Sequence, residues 1–128
     1  MEDKIPVPFF NPRLLFMKKF SFDELFAGAT VGEPILDAVV AAIRQTHTLQ
    51  SEDIAILLDV RKRDLGSAVL LLTGMTLETL IHTWRIRQAR DLLAAGQLSE
   101  REIAYRCGWT SLRGMRRNLA RADPAITR

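Results

Sequence analysis

Apolar residues recur every three or four positions along most of this 128-residue chain, with polar residues between them. Such spacing places apolar side chains on one face of an α-helix. The clearest stretch follows Pro34, and its apolar positions are Ile35, Leu36, Val39, Val40 and Ile43. Apart from a candidate short strand near Leu14–Met17, no stretch alternates apolar and polar residues over a useful length. The pattern therefore predicts an all-α fold.

Capping signals delimit the predicted helices. Ser21 with Glu24, and Ser99 with Glu102, have the capping-box spacing of a hydroxyl and a carboxylate three residues later. The other predicted helix starts are Pro34, at a first-turn position, and the N-caps Ser51 and Thr76. Predicted helix ends lie at Gly28, Thr46, Gly74, Gly96 and Cys107–Gly108. The helix that begins at Thr76 is the longest, and the last helix is expected from about Ser111 to Arg121.

Two parts of the chain repeat one pattern of apolar anchors around a tight turn. The first copy has Leu49, Ile54–Ala55, Leu58–Asp59–Val60, Leu65 and Val69, and the second has Leu98, Ile103–Ala104, Cys107–Gly108–Trp109, Met115 and Leu119. The offset between the copies is constant up to the turn and grows by one residue after it. Asp59 and Gly108 occupy the turn position, where a left-handed backbone is available to Gly and, less easily, to Asp. A repeated supersecondary unit therefore organises the chain.

The N-terminal part is an aromatic arm. All six Phe residues lie within the first 26 positions, and Pro6, Pro8 and Pro12 discourage an early helix. The arm is too apolar to remain free in water, so it packs either on the helical body or on a second copy of the chain. Packing on its own body is the favoured expectation.

Charge is distributed unevenly along the chain. The net charge is only +3, yet residues 75–128 carry ten arginines against five acidic residues. Such a gradient indicates a surface that faces a polyanion, and the plain alternative is a solvated basic helix face.

Composition also narrows the class of protein. The single cysteine, Cys107, excludes an internal disulfide and a cysteine-based zinc site, and it fits a reducing compartment. His47 and His82 have no evident ligand neighbours, so neither a metal nor a cofactor is expected. No apolar run is long enough to span a bilayer and no secretory signal is evident, which predicts a cytoplasmic protein without a membrane partner. No nucleophile–base pair, paired catalytic carboxylates or glycine-rich phosphate loop appears, so an enzyme is not expected.

Residues 34–121 resemble the DNA-binding domain of the AraC family of bacterial transcription regulators. The resemblance rests on Gly74–Thr76, Arg85–Ile86, Ala89, Leu92–Leu93, Leu98–Ser99, Ile103–Ala104, Cys107–Trp109 and Ser111. It implies two helix-turn-helix subdomains joined by a long linker helix. The expected organisation is an aromatic arm over residues 1–33, a first helix-turn-helix over 34–74, the linker helix over 75–96, and a second helix-turn-helix with a short tail over 97–128.

The resemblance also implies a sequence-specific, nucleoid-associated regulator that binds double-stranded DNA. On the last helix, Arg113, Arg116 and Arg117 stand three and four residues apart, opposite the apolar anchors, where the family contacts bases. Phosphate contacts are expected from Arg106, Ser111 and Arg121 in the second unit and from Arg61 and Lys62 in the first. Arg63 and Ser67 are the candidate base readers of the first unit.

The first unit departs from the family pattern. Gly66, Ser67, Leu70 and Leu71 stand where polar or basic residues are usual, so this unit is expected to read DNA weakly. Leu70 and Leu71 are expected to lie under the aromatic arm, or else to form a patch for a homodimer or for RNA polymerase. In the second unit, Gly114–Met115 replaces a usual Tyr–Phe pair, and Trp109 replaces a usual Phe.

A second function class fits part of this pattern. A chain that kept the fold but lost specific DNA reading would act as a protein-interaction or dimerisation module. The Leu70–Leu71 pair, Gly66 and the modest net charge motivate that alternative. Cys107 and Arg85 are expected to serve packing rather than redox sensing or base reading.

Overall fold

A computed structural model describes residues 19–122, and this part of the chain forms seven α-helices and no strand. The helices are α1 (Phe22–Ala27), α2 (Pro34–Gln45), α3 (Ser51–Leu57), α4 (Lys62–Thr73), α5 (Leu77–Ala95), α6 (Glu100–Arg106) and α7 (Leu112–Arg121). The prediction of an all-α fold is confirmed for these residues. The candidate strand near Leu14–Met17, the first three Phe residues and the tail after Ala122 lie outside the described residues.

Both predicted capping boxes are present. The hydroxyls of Ser21 and Ser99 accept hydrogen bonds from the backbone N–H three residues later, and the glutamates at those positions accept from the cap N–H in return. Thr76 caps α5 through the N–H of Thr79. Gly74 and Gly96 close α4 and α5 in the left-handed conformation, as expected of a C-terminal glycine.

One predicted cap is wrong. Ser51 is the first residue of α3 rather than its N-cap, which is Gln50 and makes no side-chain capping bond. The Ser51 hydroxyl is buried and donates a 2.7 Å hydrogen bond to the carboxylate of Glu78 on α5. This hydrogen bond lowers the pKa of Glu78 below its usual value. A contact between helices distant in sequence therefore replaced the local cap.

The two predicted turns have the same backbone hydrogen bonds. Leu58, Asp59 and Val60 donate to the carbonyls of Ile54, Ile56 and Ala55 after α3, and Cys107, Gly108 and Trp109 donate to those of Ile103, Tyr105 and Ala104 after α6. Asp59 has a φ of 57° and Gly108 a φ of 95°, so both turn residues adopt the left-handed conformation. The turns after α3 and α6 are therefore two copies of one backbone arrangement.

Helix α5 contributes to two hydrophobic cores. Its first half supplies Leu77, Leu80 and Ile81 to a core with α1–α4, and its second half supplies Ile86 and Ala89 to a core with α6 and α7. Leu49, before α3, is half-buried against both cores. None of the helices in residues 19–122 is by itself long and apolar enough to cross a membrane, and α4 and α5 meet that criterion only together, across a 71° bend.

A buried arginine on α5 holds the end of α2 and the segment that follows it. Arg85 is 2% exposed, and its guanidinium donates to the carbonyls of Ile43, Thr46 and Thr48 and to the side chain of Gln88. The last carbonyls of a helix have no intrahelical donor, so a cation placed there satisfies them and favours the helix dipole. Burial lowers the pKa of Arg85 from its ordinary value. The expectation that Arg85 has a packing role is confirmed.

The same segment contacts the second helix pair. The imidazole of His47 is hydrogen-bonded through Nδ1 to the carbonyl of Arg106. A Cβ atom at Gly108 would overlap the carbonyl oxygen of His47, so only glycine permits this approach. The turn after α6 therefore packs directly on the connection between α2 and α3.

The described part of the aromatic arm packs on the helical body. Phe26 stacks on Trp84 with ring centroids 4.6 Å apart, and Phe22 is buried in the first core. Phe20 donates its N–H to the carbonyl of Leu72, and Arg87 lies over the ring of Phe22. These contacts are made with the helical body of the same chain. Leu70 nevertheless stays 49% exposed, so the expected cover of that side chain is incomplete.

Replacing Arg85 by Met should lower the free energy of unfolding by about 2–4 kcal/mol, because buried carbonyl oxygens lose a charged donor. Arg113→Met removes an exposed arginine and should change stability by less than about 0.5 kcal/mol. Urea unfolding of the two variants and the wild type measures both effects. A loss at Arg85 no larger than at Arg113 would contradict the assigned packing role.

Gly108→Ala should destabilise the protein by at least about 2 kcal/mol, because it combines a left-handed backbone with an overlap on the His47 carbonyl. Gly66→Ala is the matched control: its Cβ would meet nothing within 4 Å. That helix-interior change should stabilise α4 by up to about 1 kcal/mol. Thermal or urea unfolding distinguishes the two, and effects of the same sign would count against this account of Gly108.

Candidate nucleic-acid interface

Helix α7 presents an arginine face to solvent. Met115 is buried in the second core, and Leu112 and Leu119 pack partly against it. Arg113, Arg116 and Arg117 are exposed on the opposite side. Ser111 caps the helix by accepting the N–H of Gly114 at 3.0 Å. The structure therefore brings the three predicted base readers together on one helix surface.

One of the three arginines has a partner. Arg116 donates through Nε and Nη2 to Glu100 at the start of α6, at 3.0 and 2.5 Å. Both side chains are largely solvent-exposed, so the ion pair stabilises the fold little. Arg113 and Arg117 make no hydrogen bond or ion pair within the described part of the chain. These two are the arginines available for a ligand without breaking a contact.

The predicted phosphate contacts of the second pair surround α7. Arg106 ends α6 and Arg121 ends α7, and both side chains are exposed. The hydroxyl of Ser111 can still donate, because its capping role uses it as an acceptor. Ser111 and Arg121 therefore lie at the two ends of α7, and Arg106 lies at the end of α6.

Sequence reasoning missed two exposed residues beside this face. Arg101 and Tyr105 stand one turn apart on α6, and Tyr105 is 79% exposed. They line an open cavity of about 530 Å³ together with His47, Trp109 and Thr110. The signal lay in their four-residue spacing opposite the buried Ile103 and Ala104. The cavity also includes Ser111 and Leu112, so this cation and this aromatic ring lie next to the start of α7.

The predicted site residues of the first pair lie on α4. Arg61 and Lys62 are exposed at its start. Arg63, Ser67 and Leu70 follow one another along its outer face, at spacings of four and three, and all are exposed. This face therefore combines one charged, one short and one apolar side chain, in contrast to the arginine face of α7.

Two further side chains, Cys107 and Arg90, serve the fold. Cys107 is buried, and desolvation raises the pKa of its thiol above the usual value despite the nearby arginines. Arg90 donates to the carbonyl of Leu119 at 2.9 Å and so ties α5 to α7. Within residues 19–122 no three His, Cys, Asp or Glu side chains come together as metal ligands.

Comparison with known proteins identifies no relative of this chain: no family model, no curated protein and no solved structure matches it.

Cys107 should react with a thiol reagent at least about 100-fold more slowly in the native protein than in urea, because burial removes both access and thiolate. Reaction with Ellman's reagent at pH 8, with and without denaturant, measures the ratio. A native rate close to the unfolded rate would instead assign the thiol to an exposed, redox-sensitive role.

Proposed function

We propose that this protein is a sequence-specific DNA-binding transcription regulator of the AraC type. In this proposal the pairs α3–α4 and α6–α7 act as helix-turn-helix units, and α5 is the linker between them. Helix α7 is the principal recognition helix. The observation that carries the proposal is the arginine face of α7, which stands on a buried core and follows a turn duplicated elsewhere in the chain.

The chemistry of that face suits the DNA major groove. An arginine can donate two hydrogen bonds to O6 and N7 of one guanine, and this pairing discriminates among bases. Arg113 and Arg117 carry free guanidinium groups on adjacent turns. Arg106, Ser111 and Arg121 at the borders would contact phosphates, which orient a protein on the duplex without reading its sequence.

The length of α5 supports a two-unit mode of binding. Its 19 residues span about 28 Å at roughly 1.5 Å per residue. Successive major-groove faces on one side of B-DNA are separated by about 34 Å. The buried Arg85 joins α5 to the segment before α3, and His47 in that segment contacts the turn at Gly108. Such rigidity would favour two sites at one spacing over sites at variable spacing.

The two units would contribute unequally. On α4 only Arg63 is long enough to reach a base edge from a distance, while Ser67 is short and Leu70 is apolar. The first unit would therefore supply phosphate contacts from Arg61 and Lys62 and little sequence discrimination. In this proposal the regulator is cytoplasmic, associates with the nucleoid and has no catalytic activity. RNA polymerase is a candidate further partner.

One set of observations favours a second candidate. The first pair exposes Ile56, Leu57, Val60 and Leu70, each about half or more accessible. Apolar side chains concentrated on one unit are typical of a surface that contacts protein. A protein-interaction or dimerisation module without specific DNA reading is therefore the alternative.

Selection from a random pool of DNA duplexes at moderate salt separates the two candidates. Wild type and Arg117→Ala are selected side by side. A motif enriched by the wild type alone supports the regulator. No motif for either protein, together with self-association in sedimentation, supports the interaction module instead.

On the selected duplex, Arg117→Ala should cost about 1–3 kcal/mol of binding free energy and relax the preference at one base pair. Ser67→Ala should cost less than about 0.5 kcal/mol, since that position contributes little reading. Arg121→Ala should weaken matched and unmatched duplexes alike and reduce the slope of log K against log salt by about one. Fluorescence anisotropy over a salt series measures all three, and equal losses for Arg117→Ala and Ser67→Ala would reject the unequal roles of the two units.

A further inference from the structure

The first helix pair and α2 enclose an apolar cavity. The cavity measures about 360 Å³ and opens at the surface between α2, the turn after α3, and α4. It is lined by Pro34, Ile35, Ala38, Leu58, Val60, Asp64, Leu65 and Ala68. Its size lies at the lower end of the range for small-molecule sites, which are mostly apolar with a few polar groups.

The internal repeat shows what occupies the same place in the second pair. Val60 is the counterpart of Trp109, because both donate the last hydrogen bond of the duplicated turn. Trp109 is only 6% exposed, whereas Val60 is 46% exposed. The indole is thus buried in the second pair, whereas the smaller valine lies half-exposed at the cavity of the first.

The contacts of the indole match the lining of the cavity. Trp109 Nε1 donates a 2.6 Å hydrogen bond to Asn118 on α7, and Ala68 is the counterpart of Asn118 on α4. A Cβ at Gly114 would lie 3.6 Å from Trp109 Cδ1, and Asp64 is the counterpart of Gly114. Two substitutions between the copies, Trp to Val and Asn to Ala, thus remove a ring and the acceptor that bound it.

The charge of the cavity restricts what can enter. Asp64 is its one charged lining residue and is half-buried. Within the described part of the chain Asp64 forms no hydrogen bond or ion pair. A carboxylate at the edge of an apolar cavity accepts an N–H donor and repels an anion. The geometry therefore favours a ring with an N–H group and disfavours an aromatic acid.

We infer that this cavity is a binding site for a small, uncharged aromatic ligand with an N–H donor, about the size of indole. The ring occupies the place that Trp109 holds in the second pair, between Ala38 on α2 and Ala68 on α4. Its N–H donates to Asp64. The site is formed by the first helix pair and α2, away from the arginine face of α7, and it does not depend on DNA binding.

Titration with indole itself tests the site, with 5-fluoroindole as the ¹⁹F NMR probe. The wild type should bind with a Kd on the order of 1 mM or tighter, given nine non-hydrogen atoms of mostly apolar ligand. Indole-3-carboxylate, the same ring with a negative charge, should bind at least about tenfold more weakly because of Asp64. Asp64→Asn should reduce that discrimination.

Val60→Trp fills the cavity with the residue that the second pair uses, and it should abolish indole binding while raising the melting temperature. Ala38→Leu narrows the cavity from the opposite wall and should also weaken indole binding. It provides the test if Val60→Trp fails to fold. Ile56→Ser, an exposed change on α3 outside the cavity lining, is the matched control and should bind indole like the wild type.

Absence of indole binding by the wild type would overturn the inference, as would unchanged binding by folded Val60→Trp or Ala38→Leu. Binding equally lost in Ile56→Ser would overturn it too, because that residue does not line the cavity. None of these outcomes bears on the DNA selection, so the indole site and the proposed DNA-binding function are tested independently.

Discussion

The architecture depends on one buried cation. Arg85 lies at the middle of α5, where a desolvated guanidinium would be costly unless its N–H groups found acceptors. It finds them in carbonyls that end α2 and in the segment before α3, which themselves lack intrahelical donors. Each set of groups is thus satisfied by the other. These hydrogen bonds attach the end of α2 and the segment before α3 to α5, in addition to the apolar core that α5 shares with α1–α4.

That attachment also determines the position of the second pair. The segment held by Arg85 includes His47, and the backbone of His47 touches the turn at Gly108. Because Gly108 has no side chain, the turn can approach the segment closely, and the Arg106 carbonyl bonds the His47 ring. Two helix pairs that share few direct contacts are therefore oriented through one short connection and one shared helix.

The two copies of the unit illustrate how one backbone serves different purposes. Both retain the buried Ile–Ala pair before the turn and the left-handed residue within it. They differ at the turn aromatic and on the outer helix face. Trp109 is part of the second core, and the arginines of α7 lie on the exposed side of that helix. Val60 leaves a cavity in the first, and the outer face of α4 has one arginine and an exposed leucine. Backbone geometry tolerates these differences because the duplicated hydrogen bonds of the turn join backbone N–H and C=O groups, so the side chains of Val60 and Trp109 take no part in them.

Helix starts, helix ends and the repeat follow from the sequence because they rest on local chemistry. Capping boxes, closing glycines and apolar spacing act within a few residues, so five of the seven helix starts were predictable, those of α1, α2, α5, α6 and α7. The predicted Ser51 cap was wrong because its hydroxyl donates to Glu78, which is 27 residues away along the chain and outside the range of local signals. The arginine face of α7 was predictable from spacing alone, whereas the pairing of Arg116 with Glu100 was not.

The sequence by itself determined the all-α character, the duplicated turn and the placement of three arginines on one helix face. Only the tertiary structure decided how the two pairs are joined, which arginines stay free, and that Val60 opens a cavity where Trp109 fills one. The physical reason is the distance along the chain over which each interaction acts. Periodicity and capping report on neighbours along a helix, while the acceptors of Arg85, the approach at Gly108 and the volume beside Val60 depend on residues brought together from distant parts of the chain.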